Sequence, residues 1–219
     1  SRLNEHILSA NINYQHDFAF GDFTPTLKMG GYTEYRTREY NTRLFIYSWK
    51  NGLPSNYRVM NVPDELMQDK NYGEDKLYLL EQVDWRNNYE GNNMLGAGYA
   101  GVNLPFGKWN IYAGVRFEHS RMELISNTQK NEKSPTSVYY TYDDFFPSLN
   151  AAYRLNEQHQ FRLSYGRTVN RPEFREVSSS VYYDFDLASN VQGNYDLKAA
   201  YIDNIDLGYE YYPSNGELI

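Results

Sequence analysis

The sequence has no cysteine, which removes disulfide frameworks, thiol nucleophiles and cysteine-ligated metals. Histidine is sparse as well. His6, His16, His119 and His159 are scattered, and no two have the H-x₃-H spacing that sets imidazoles on one helix face. No run of about 18 apolar residues exists, so no transmembrane helix is encoded. Positive charge falls short of negative, with 21 Lys and Arg against 28 Asp and Glu, and the net charge of −7 gives a nucleic-acid partner no support. A phosphate-cradling glycine loop and a nucleophile elbow are both missing. Ser1-Arg2-Leu3-Asn4 has no signal-peptide character, and Gly216-Glu217-Leu218-Ile219 stops just past a turn where an eighth strand is due. The 219 residues therefore read as a piece of a longer precursor.

What the chain has in excess is tyrosine, 23 residues within an aromatic content of 17%. Tyr joins an apolar body to a wet tip, which suits half-buried strands and membrane–water interfaces. The patterning is that of strands. Leu8 to Tyr14 alternate with polar residues, and a long alternating run extends from about Thr26 to Tyr47. Leu95, Ala97 and Tyr99 alternate with Gly96 and Gly98; Ile111, Ala113, Val115 and Phe117 with Tyr112, Gly114, Arg116 and Glu118. Leu149 to Leu155, Phe161 to Tyr165 and Ile205 to Tyr211 complete seven strands. One short helical pattern, Pro63 to Asp69, has proline at a plausible first turn.

The connections alternate. Short ones fall at 19–23, 105–108, 156–159 and 213–216, and long ones at about 48–91, 127–143 and 171–202. In an up-and-down meander, every short turn then lies at one end and every long loop at the other, the layout of outer-membrane β-barrels. In such a barrel the apolar face meets lipid and the polar face lines the lumen. Arg116, Glu118, Asp206, Glu210, Lys28, Glu34 and Arg36 are expected on the polar face, together with Gly30, Gly96, Gly98, Gly114, Gly166 and Gly208. Repeated glycines on one face predict close packing against that wall. Aromatics near the short-turn ends, among them Tyr14, Phe18, Phe106, Trp109, Tyr153 and Tyr211, resemble an interfacial girdle.

Three segments carry a family resemblance. FRLSYGRTVNRPEF, 161–174, is similar to a strand and R-P-x-F element of TonB-dependent outer-membrane receptors, matched at Arg171-Pro172-Glu173-Phe174. VQGNYDLKAAYIDNIDLGYEYYP resembles the family's G-N-P-x-L-K-P element and the strand after it, through Gly193, Asn194, Leu197, Lys198, Asn204, Asp206, Leu207, Tyr209 and Glu210. Tyr195 and Ala199 depart from it, each standing where that family usually has proline. GVRFEHS, 114–120, is similar to an earlier G-x-R-x-E strand, and DELMQDKN to the loop before it. The resemblance implies seven to eight strands of a roughly 22-stranded plugged barrel, with the plug and the TonB-contacting segment outside this chain. It further implies an outer-membrane location in a Gram-negative bacterium, lipid contact and no cofactor. Energised import of a scarce bulky nutrient, an iron chelate or a glycan, follows from it, with a surface lipoprotein as a further partner. The alternatives are a passive porin or adhesin and a soluble secreted carbohydrate-binding β-domain.

No catalytic residues are assigned. The pairs Asp143-Asp144, Glu173 with Glu176 and Asp184 with Asp186 are what 28 acidic residues produce by chance, so the chain does not read as an enzyme. Ligand-binding candidates are the loop residues Trp49, Tyr57, Arg171, Tyr182, Tyr183 and Asn194. Against that, loop aromatics commonly pack their own loop, and Arg171 and Asn194 fit a loop-holding role equally. Arg116, Glu118, Asp206 and Glu210 are candidates for plug contact, against ordinary ion pairing along a polar wall.

Overall fold

The computed structural model describes residues 1–50, 67–73 and 75–213. Tyr57, most of the predicted helix at 63–69 and the expected eighth strand lie outside them. Among the described residues eleven strands form: β1 (Arg2–Asp17), β2 (Thr26–Asn41), β3 (Leu44–Trp49), β4 (Leu77–Gln82), β5 (Tyr89–Phe106), β6 (Trp109–Asn127), β7 (Pro135–Arg154), β8 (His159–Asn170), β9 (Val181–Asp184), β10 (Ser189–Gln192) and β11 (Ala200–Tyr211). Seven of them make one antiparallel sheet in the order β1-β2-β5-β6-β7-β8-β11, and β3–β4 and β9–β10 are separate hairpins inside the long connections. The sheet is a meander that does not close on itself.

Turn chemistry fixes the short ends. Gly107 (φ 56°) opens the two-residue β5–β6 hairpin, where a positive φ matches the right-handed strand twist. At the β7–β8 turn, Asn156 Oδ1 accepts the N–H groups of Gln158 and His159, both at 2.9 Å.

Register assigns the faces, because directly paired residues point the same way. One row runs Tyr14, Met29, Ala100, Val115, Pro147; a parallel one runs Ala113, Leu149, Tyr165, Ile205. This face is apolar and bare: Val115 is 46% exposed, Phe145 65% and Leu207 82%. Near the short turns, Trp109, Tyr153, Phe161 and Tyr209 pair directly across four strands. Their rings touch, with centroids 4.6 Å apart for Trp109–Tyr153 and 5.2 Å for Phe161–Tyr209. On β6 and β7 the first charged row of the same face is His119 with Asp143, bonded at 2.8 Å.

The faces of β5 are the reverse of the sequence expectation. Leu95, Ala97 and Tyr99 oppose Ser120, Glu118 and Arg116 on the polar face, so Gly96 and Gly98 belong to the apolar face. Small residues on both sides of β5 blur its alternation, and Tyr99 is a polar-face residue whose hydroxyl donates to Asn13 Oδ1 at 2.7 Å. Three polar-face glycines, Gly30, Gly101 and Gly114, make room for tyrosine rings of the wall itself, whereas Gly166 faces open space and Gly208 has only the Arg162 Cβ beside it. A Cβ at Gly30 would lie 2.6 Å from the Tyr99 ring, and one at Gly101 or Gly114 2.5 or 2.8 Å from the Tyr112 hydroxyl.

Several boundaries also move. The long run from Thr26 breaks at Thr42–Arg43, between β2 and β3. β6 ends where the loop at 127–143 was expected to begin, but β7 starts at Pro135 and occupies half of that loop, leaving 128–134 as the connection, closed by Asn127 Oδ1 accepting the Ser134 N–H at 2.9 Å. The expected loop at 171–202 contains the β9–β10 hairpin, that at 48–91 takes in β4 and the end of β3, and β5 and β11 begin about two residues early, at Tyr89 and Ala200.

At its upper end β8 leaves the wall. Its ladder with β7 ends at Gly166 opposite Ser148, while its ladder with β11 continues to Asn170 opposite Ala200. Pro147, the next β7 residue, cannot donate to a ladder. Val169 to Phe174 instead line a cavity of about 260 Å³ shared with the polar-face residues Arg36, Asn93, Leu95, Ser120 and Met122. The core lies here, on the polar side: Phe174 and Val177 pack with Tyr89, Met122 and Leu124, flanked by Tyr40, Tyr140 and Tyr195.

The face assignment predicts opposite outcomes for two arginines. Val115→Arg should block assembly into the outer membrane, since an arginine at bilayer mid-depth costs about 2–4 kcal/mol. Ala97→Arg, opposite Glu118, should assemble normally. Heat-modifiable mobility of the folded barrel on gels reads both, and normal assembly of Val115→Arg would reverse the faces.

Candidate functional site

Arg171 is the node of the inner face. Its Nη1 donates to Glu118 Oε2 at 2.7 Å and its Nη2 to Asp144 Oδ2 at 2.6 Å. Arg116 Nε donates to the other Glu118 oxygen at 2.7 Å, and the Tyr201 hydroxyl to the other Asp144 oxygen at 2.6 Å. Two guanidinium groups and two carboxylates thus balance, with the Tyr142 and Phe146 rings 5.6 and 5.9 Å from the Arg171 guanidinium carbon. Burial pulls the Arg171 pKa down, but its hydrogen bonds to the two carboxylates and their negative charge outweigh it and leave the group above its ordinary value.

A second cluster sits beside the first. Glu5 pairs with Arg36 at 3.2 Å and with Arg38, and Glu173 approaches Arg36 at 3.3 Å. The Phe174 ring lies 5.5 Å from both guanidinium carbons, a cation–π arrangement. A Cβ at Gly91 would fall 2.4 Å from that ring, so Gly91 admits the phenyl to the wall. The turn carrying Phe174 is braced from below. The Asn194 N–H donates to Glu176 O at 2.7 Å, and a Cβ at Gly193 would be 2.3 Å from Ser178 O. The G-N pair of the matched motif therefore supports the R-P-x-F turn.

Of the sequence candidates, the structure brings Arg171, Arg116 and Glu118 into one network. Asn194 lies at the base of the same turn, its side chain accepting the Asp196 N–H at 2.9 Å. Tyr182 stacks under the Arg175 guanidinium at 3.7 Å, whereas Tyr183 packs edge-on against Phe185 at the exposed tip of β9–β10. Trp49 is half-buried at the end of β3, opposite Leu77. Glu210 pairs with Arg162 at 2.8 Å near the short-turn end, and Asp206 shares the polar face opposite Ser164 without an ion pair among the described residues. The sequence reading missed Asp144, Tyr201, Glu5, Arg38 and Phe174 as site residues. Parity would have found the first: in an adjacent pair on a strand, one of Asp143 and Asp144 must face inward. The Nε atoms of Arg36 and Arg171, both lining the cavity, are buried without an acceptor among the described residues.

Arg171→Met should leave two inward carboxylates facing each other and free the turn. Losing hydrogen bonds to charged groups costs about 1.5–3 kcal/mol each, felt locally. Faster hydrogen exchange at 172–180 with little change at β5 and β6 is expected; unchanged exchange would remove Arg171 as the anchor.

Comparison with known proteins follows this geometry. The family model described as the outer membrane protein beta-barrel family matches residues 1–218. No curated protein matches the chain. Among solved structures, the siderophore receptor PiuA from Acinetobacter baumannii is similar at 10% identity and TM-score 0.62, covering 98% of this chain and 30% of that one. The closed form of the ferric-catecholate import receptor Fiu from E. coli K12 is similar at 14% identity and TM-score 0.59, covering 98% and 30%. The unliganded ferric citrate transporter FecA is similar at 15% identity and TM-score 0.51, covering 77% and 21%. The chain thus spans between a fifth and a third of these three structures, and at these identities the likeness is one of fold. The bare apolar face is the lipid-facing side and the polar face the lumen of a Gram-negative outer-membrane barrel, in keeping with the receptor-like motifs of the sequence. The chain belongs to the outer membrane protein beta-barrel family.

Proposed function

We propose that this chain is part of the wall of a TonB-dependent receptor that binds and imports a scarce, bulky nutrient with energy from the inner membrane. The observation that carries the reading is the inward segment 171–180. It fills the lumen side of the wall with a buried aromatic, ion pairs and three buried serines, where a passive pore needs an open aqueous path. The bare apolar face disfavours a soluble carbohydrate-binding domain, which would have to hide it from water. The receptors that share the fold are described as handling siderophores, ferric catecholates and ferric citrate, which favours an iron chelate over a glycan.

In this reading the long loops face outward and the short turns face the periplasm. Trp49, Tyr182 and Tyr183 lie on connections at the outward end and contribute to ligand capture, with a surface lipoprotein as a further partner. Arg116, Glu118 and Arg171 face the plug, and the buried Nε donors of Arg36 and Arg171 offer hydrogen bonds to plug acceptors. The chain's role is transport, without a catalytic residue.

In cells carrying the full-length protein, uptake of radiolabelled ferric chelates should be abolished by a protonophore. Deleting Val181 to Asn190 should reduce uptake at least several-fold while the barrel still assembles. Protonophore-insensitive uptake would make the protein a passive pore, and unchanged uptake in the deletion would take β9–β10 out of ligand capture.

A further inference from the structure

Strand β7 is paired with β6 along nearly its whole length but with β8 only from Ser148 to Arg154. From Pro135 to Pro147 its second edge has no backbone partner among the described residues. The gap does not belong to the open ends of the sheet at β1 and β11. It lies between two consecutive wall strands, because β8 has turned inward at Gly166.

The neighbouring segment 193–199 does not take the vacant place. It is held back by the Tyr140 hydroxyl donating to Tyr195 O at 2.8 Å, by Ser126 Oγ and the Tyr195 hydroxyl at 3.1 Å, and by Asn194 N–H on Glu176 O at 2.7 Å. Between that segment and the edge lies a cleft of about 750 Å³, whose walls include Tyr139, Thr141, Tyr142, Lys198 and Tyr201. The edge at 139–142 also lies beyond the His119–Asp143 row, on the long-loop side of the apolar band. It therefore meets water rather than lipid tails.

A row of free N–H and C=O groups in water is a template for one more strand. We propose that the β7 edge at 139–142 is a strand-addition site that takes an extended polypeptide segment. The occupant follows from continuity with the existing sheet: the incoming backbone would extend the β6–β7 ladder where β8 has left it. Main-chain bonds would supply the affinity, and alternate side chains would fall toward Tyr139 and Thr141 or toward Tyr140 and Tyr142. A glycan could stack on these tyrosines, but it has no backbone of matching period to use the edge. The site lies on the outer rim, so the proposal stands apart from the import reading.

The absence of cysteine from this chain allows a single label. Thr141→Cys, at an exposed position, would carry an environment-sensitive fluorophore in the full-length protein, in lipid nanodiscs and in a background with no other cysteine. The probe is a peptide of alternating threonine and lysine, about ten residues long to match a typical strand. A second version has alternate backbone amides N-methylated, keeping its side chains and losing its donors. A saturable emission change with the first peptide is expected, with binding of the methylated one weaker on the order of tenfold or more. Equal binding of the two, no change with either, or a change with maltodextrin instead would overturn the proposal. So would failure of the reagent to reach Thr141→Cys without peptide, which would mean the protein already covers its own edge. The assay needs neither TonB nor a proton gradient, so its result is independent of whether import is energised.

Discussion

Backbone hydrogen bonding between strands is the constraint on which the rest of this structure depends. Hydrocarbon offers no partner to a free N–H or C=O, so a chain without a membrane-spanning helix can cross only by pairing strand with strand. The ladder between β5 and β6, from Tyr89–Ser126 to Phe106–Trp109, is that requirement met over eighteen residue pairs. Period-two geometry then separates two faces, and everything polar has to be resolved on the inner one. The ion-pair clusters around Glu5 and Arg171, the tyrosines lying over glycines, and the small buried core are all consequences of where the ladder sends those side chains.

The inner face shows how a wall can have a core of its own. Phe174 comes from a segment that has left the sheet, yet it is among the most buried side chains of the described residues, at 1% exposure. It is held by chemistry from three strands: Gly91 gives it space, Arg36 and Arg38 flank its ring, and Met122 and Leu124 close the contact. Arg171, three residues earlier, fastens the same segment to β6 and β7. The carboxylates it meets are pre-oriented by Arg116 and Tyr201, so the anchor is a network rather than one pair.

Much of this was legible in the residues, and the exceptions have physical reasons. Alternation located all seven sheet strands, and the spacing of connections gave the meander. The β5 faces were misread because glycine and alanine occupy both sides there, so Leu95 and Tyr99 carried the assignment alone. Tyrosine is a poor marker of sidedness, since its hydroxyl can be satisfied inside, as Tyr99 is by Asn13. The height of β7 was underestimated because its upper half, such as Tyr139–Tyr142, carries only tyrosine and threonine on both faces and looks like loop. The Arg171 network bonds residues up to 57 positions apart, and only register reveals that Glu118 and Asp144 stand side by side.

The aromatic row Trp109–Tyr153–Phe161–Tyr209 has a consequence for biogenesis. A slip of one residue between any two of these strands would turn one strand's aromatic into the polar interior. A slip of two would keep it outside but shift it along the strand by about 6.5–7 Å, out of line with its neighbours at the interface. Four rings in one row therefore act as a depth gauge. Only one alignment of the hairpins places all of them at the same level, and the membrane surface itself can reject the others while the barrel is being assembled.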